Sequence, residues 1–224
     1  MLSRNAILAV PEDWNHGCSK TYDKNGKIVL DVPGEAKNGD LLLLFLSRTD
    51  DFLPLRIKGW KYAASCFKSG NEQKECWTRK DCLEKKEKHC IEFPRGNGRD
   101  LATIIFYKAW SEKDPSSFEF YLPGGTHPGW GFLLAVNGVD DSSPVRDINT
   151  SSRDDSKLSV FPTVQGDEGD LLLLSMAFDD TAEASDFRPP NDMELVCFVN
   201  GKDEAGFLYS NEILSNEATG SLFI

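Results

Sequence analysis

Two stretches of the chain read GDLLLL letter for letter, residues 39–44 and 169–174, at an offset of 130. Each is a short continuous apolar run opened by a Gly-Asp turn, with no polar alternation. A run of that length fits a strand covered on both faces better than a helix. Residues 102–110 and 131–139 are rich in β-branched and aromatic side chains and end at Gly or Pro signals, which predicts further strands. Pro33, Pro115, Pro144 and Pro162 fall between these runs, where a missing N–H removes nothing from a ladder. Asp23, Lys24, Asn25, Gly26 and Lys27 read as a hairpin turn with Gly26 taking the positive φ. The one helical candidate is 81–89, charged almost all round. Strands at this spacing without long helical periods predict an all-β sandwich.

The duplication extends beyond the six letters. Each block is preceded by a Val/Pro segment (Val32 and Pro33; Pro162 and Val164) and followed by an acidic loop, Asp50-Asp51 or Asp179-Asp180. A strand-like stretch ending in Cys66 or Cys197 comes next. The pattern predicts two homologous antiparallel β-sandwich units, jelly-roll-like and related by a pseudo-twofold. Residues 30–147 form the first, with a small helical and Cys-rich insertion at 67–99, and 148–224 form the second. The first closes with GFLLAV at 131–136, whereas the second reaches Ile224 where its counterpart should follow. The N-terminal NAILAV at 5–10 shares the Leu-Ala-Val core of that element. Residues 1–29 are therefore expected to complete the second unit, with Asn5, Ile7, Leu8 and Val10 forming its strand. Within one chain this closes the body, and between chains it is edge addition to a neighbour.

Composition bounds the function. The chain has 224 residues, 40% hydrophobic and 27% charged, enough for one large or two small cores. No apolar run approaches the roughly 20 residues of a membrane helix, and the opening apolar stretch is too short for a secretory signal. A net charge of -11 repels phosphate backbones, so neither nucleic acid nor membrane is an expected partner. The charge is uneven: residues 1–112 carry a balance of +3 and residues 113–224 a balance of -14. Opposite signs predict attraction between copies, with the basic insertion at Lys80, Lys85, Lys86 and Lys88 meeting acidic loops at Asp154, Asp155, Asp179 and Asp180.

The ordered series GDLLLL, GW (59–60), ATIIFYKAW (102–110), DPSSFEF (114–120), GFLLAVNGVDDSSPVRD (131–147) and a second GDLLLL resembles a tandem β-sandwich module of phage tail and virion-associated proteins. It is also similar to the two-repeat β architecture of pyrenoid shell proteins of diatoms and other algae, which assemble into sheets around Rubisco condensates. The resemblance spans roughly residues 30–224, and the chain departs from it in the 67–99 insertion and the absent last strand. It implies a non-enzymatic structural protein that self-assembles into a sheet, tube or shell, with itself as partner and an enclosed client protein as a further one. It places the chain in a plastid on the shell reading, and in a virion or outside the cell otherwise.

The candidate chemistry is sparse. Cys66, Cys76, Cys82 and Cys90 lie within 25 residues at gaps that do not form zinc knuckles, so disulfides among them fit better than a metal. Cys66 and Cys197 hold equivalent places in the two units and also fit as small buried side chains. The acidic clusters lack the EF-hand spacing and read as solvated turns, so no metal or cofactor is expected. His16, His89 and His127 have no evident carboxylate orienter, and no nucleophile elbow, HExxH or phosphate loop occurs, which argues against an enzyme. The alternative function is carbohydrate binding, a lectin or adhesin module holding a surface glycan. Its candidate anchor is Trp130, between Gly129 and Gly131 and expected to be exposed.

Overall fold

The structure is a computed structural model describing residues 2–9, 16–23, 27–49, 57–68, 74–78, 101–121, 129–139, 144–152, 160–161, 164–178, 193–201, 205–212 and 222–223. These residues form β-strands and their turns, with no helix among them. In chain order the strands are β1 (Leu2–Ala9), β2 (His16–Asp23), β3 (Lys27–Asp31), β4 (Leu41–Thr49), β5 (Lys61–Lys68), β6 (Lys74–Thr78), β7 (Leu101–Ala109), β8 (Ser117–Tyr121), β9 (Gly129–Val136), β10 (Asp147–Ser152), β11 (Val160–Phe161), β12 (Asp170–Phe178), β13 (Glu194–Asn200), β14 (Ala205–Glu212) and β15 (Leu222–Phe223). The 81–89 helical candidate lies outside the described residues.

A six-stranded sheet has the order β2-β9-β4-β7-β5-β6 and a five-stranded sheet the order β10-β1-β12-β14-β13. Two-stranded sheets, β3-β8 and β11-β15, accompany them. Every pairing described is antiparallel.

The apolar runs explain the layering. Alternate residues of β4, Leu41, Leu43 and Phe45, join Leu134 and Phe132 of β9 in a core shared with Leu171, Leu173, Val199 and Leu208 of the five-stranded sheet. The intervening Leu42, Leu44 and Leu46 bury on the other face, against Ile28 and Leu30 of β3 and Phe120 of β8. β12 behaves likewise: Leu172, Leu174 and Met176 pack with Phe207, Tyr209 and Met193 on the face away from the shared core. Strands buried on both faces cannot alternate apolar with polar side chains, which accounts for the two continuous leucine runs.

The turns that open β4 and β12 have the same construction. Gly39 and Gly169 take φ of 96° and 84°, a region a Cβ disfavours. Asp40 Oδ2 accepts the Lys37 N–H at 2.6 Å, and Asp170 Oδ2 accepts the Asp167 N–H at 2.8 Å. In each turn the aspartate's own N–H donates back to the carbonyl three residues earlier.

β1 lies between β10 and β12, with Ile7 across from Asp147 on one side and Leu172 on the other. It flanks β12 as β9 flanks β4, where Leu41 faces Val136. The hairpin expected at Asp23 to Lys27 does not join partner strands. β2 pairs with β9 and β3 with β8, so the chain changes sheet there. The cause is the alternation in β3: Ile28 and Leu30 are buried while Val29 and Asp31 are exposed, so one face of β3 caps the six-stranded sheet.

Candidate functional site

Asn5, Ile7 and Leu8 occupy an interior strand. Asn5 is opposite Asn149 and Leu174, and Leu8 is opposite Leu171. Both hydrogen-bonding edges of β1 are taken within the chain. Val10, Lys80, Lys85, Lys86, Lys88, Asp154, Asp155, Asp179, Asp180, Cys82 and Cys90 lie outside the described residues. Cys66 and Cys76 stand directly across from each other on β5 and β6.

Trp130 corrects the expectation of an exposed anchor, because it is 0% exposed and belongs to the core between the two large sheets. Its ring lies 4.7 Å from that of Phe132, and its Nε1–H finds no acceptor among the described residues. A stacking platform for a sugar must face solvent, and this indole does not. Trp60 and Trp110 are half-buried against the core under β3 and β8. Lys108 packs its ammonium near the rings of Trp60 and Phe118, at 5.9 and 5.4 Å, and pairs with Asp114.

The exposed apolar side chains are others. Tyr121 (66%), Leu195 (44%) and Val29 (41%) are the large hydrophobics most open to solvent among the described residues. Val29 was legible from the alternation of KIVLD, whereas Leu195 lies in the run LVCFV, which carries no such signal. Beside Tyr121, Glu119 accepts a hydrogen bond from Lys27 at 2.7 Å, and this contact holds its carboxyl below the usual carboxylate range. Leu195 stands on β13, which ends its sheet and bulges between Leu195 and Cys197. The sheets end in β10 and β13, and in β2 and β6, each with a strand partner on one side only among the described residues.

A second feature ties the segment before β10 to the β12 turn. Arg146 places Nη1 2.7 Å from Asp167 and Nε 2.8 Å from the buried Asp170. The neighbouring Asp147 accepts the Gln165 N–H at 2.9 Å. Among the described residues Asp40, which holds the same place in the turn before β4, is paired with no such cation.

Buried polar groups hold strands together. Ser47 Oγ donates to the Ala102 carbonyl at 3.0 Å, and Thr103 Oγ1 donates to Ser47 at 3.3 Å. Cys197 is disulfide-bonded and buried in the shared core. Cys197 is thus buried in the apolar layer as expected, but as one half of a disulfide rather than as a simple hydrophobe. Among the described residues no group of three His, Cys, Asp or Glu is placed to hold a metal ion.

Compared with known proteins, the chain matches no family model, no curated protein and no solved structure.

Proposed function

We propose that this chain is a non-enzymatic structural protein of two homologous β-sandwich units that associates with copies of itself into a sheet, tube or shell. The observation that carries the reading is the state of the sheet ends: β10 and β13, and β2 and β6, each offer one ladder edge without a strand partner among the described residues. Such edges are templates for adding another strand. Leu195, exposed on the edge strand β13, gives an added strand an apolar side chain to pack against. The like construction of the Asp40 and Asp170 turns, and the like placing of β9 and β1, support a duplicated unit that presents two similar edges. Opposite charge in the two halves supplies orientation between copies.

Negative-stain electron microscopy of the purified full chain at low and high salt tests the reading. Sheets or tubes at low salt that dissolve as salt rises are the expected outcome, because screening weakens contacts between exposed charges. A monodisperse monomer at every salt concentration overturns it.

A further inference from the structure

We infer that the disulfide partner of Cys197 is Cys18, so that one covalent bond joins the two large sheets through their shared core. Cys197 is bonded, is 5% exposed, and packs in the core with Leu134, Trp130 and Val199. Its partner must therefore come from an element that reaches that core at β13. Cys18 lies on β2 directly opposite Leu134 of β9. Residues directly opposite in an antiparallel pair share a face, and Leu134 belongs to the shared core. The register thus puts position 18 on the face that looks toward the five-stranded sheet. β2 and β13 also run close, with Cα atoms within 8 Å of each other. A disulfide needs Cα atoms about 4.4 to 6.8 Å apart.

The other cysteines are poorly placed. Cys66 and Cys76 lie on β5 and β6, four and five positions from β2 in the sheet order. At roughly 4.8 Å per strand those positions are about 19 and 24 Å from β2. β10, at the opposite end of the five-stranded sheet from β13, is the strand that approaches β5 and β6. Cys82 follows the last residue of β6, Thr78, by four positions. A fully extended chain of that length covers about 14 Å, short of the distance back to β2. Cys90 has enough chain on both sides to reach, and is the one rival.

Forming the bond removes one proton and one electron from each thiol. The two electrons and two protons pass to a disulfide-donating partner, a thiol-disulfide oxidoreductase or an oxidised low-molecular-weight disulfide, which leaves as a dithiol or as two thiols. A bond of this kind in a dry core belongs to a chain that matures where such donors are maintained.

The test is peptide mapping of the full chain, secreted from an oxidising compartment, alkylated without reduction and then digested. The expected result is one linked species containing the Cys18 and Cys197 peptides, which separates on reduction. A Cys18 peptide alkylated before reduction overturns the inference, as does a Cys197 peptide linked to Cys66, Cys76, Cys82 or Cys90. The mapping uses the unaltered sequence, so no variant has to fold for the result to be read.

Discussion

Gly206 of β14 lies flat against the indole of Trp130 from the opposite sheet: a Cβ added there would stand 2.6 Å from Trp130 Cε2 and Cζ2. That approach is too close for any real Cβ, and the obstacle is a rigid ring packed on Phe132 rather than the end of a flexible side chain. The glycine is the hollow that lets a tryptophan fill the core between the sheets. Gly206→Ala should destabilise the chain by about 1–3 kcal/mol through overpacking, read as a lower urea midpoint. Pairing it with Trp130→Leu should cost less than the two single changes added together, since the cavity and the extra methyl offset one another. Strict additivity would show that the two residues do not share a contact.

The two aspartate turns should respond unequally. Asp170 is 3% exposed and serves both the Asp167 N–H and the Arg146 guanidinium, whereas Asp40 serves the Lys37 N–H. Hydrogen bonds to charged groups are worth about 1.5–3 kcal/mol, so Asp170→Ala should lower stability more than Asp40→Ala by an amount of that order. Chemical denaturation of the two variants side by side checks it. Equal losses would mean that Arg146 adds nothing to the turn.

Alkaline stability follows from Tyr209. The phenol is buried in the apolar layer beside Phe207, and burial pushes its pKa from 10.0 to about 12. In the unfolded chain it ionises near pH 10, while in the fold it resists until about 12. The folded state is therefore undisturbed by this group below pH 10 and loses stability as the pH climbs from there toward 12. A Tyr209→Phe variant should show a shallower loss over that interval in denaturation curves. Identical slopes in parent and variant would exclude the phenol as the cause.

Leu195 offers a direct handle on association. It is exposed on the edge strand β13, across from Tyr209 of β14, so Leu195→Lys places a charge on an edge without opening the core. Light scattering at low salt should show smaller particles for the variant with an unchanged urea midpoint. Full-size assemblies from Leu195→Lys would remove this edge from the interface.

Much of the strand content was legible because two-faced burial writes itself into sequence. Leu41 to Leu46 and Leu171 to Leu174 are unbroken by polar residues, since each side of the strand meets a different apolar layer. Gly39 and Gly169 announced their turns because a positive φ excludes most other residues. The alternation of buried Ile28 and Leu30 with exposed Val29 and Asp31 in β3 likewise records one buried and one open face. These are local constraints, acting within a few residues of the position that shows them.

Placement across the chain was decided by tertiary packing. Trp130, flanked by glycines, reads equally as a solvent-facing anchor or as a core residue, and only the approach of Gly206 from 76 positions away makes it the latter. The segment around Gly26 has the letters of a hairpin, yet β3 leaves β2 to bury Ile28 and Leu30 on the far face of the six-stranded sheet. Cys197 is one apolar-flanked cysteine among six until the shared core brings β2 beside β13. A residue's neighbours along the chain determine its backbone and the face it can bury. Which distant surface meets that face depends on the packing of the sheets, an interaction between residues far apart in the chain that no local pattern carries.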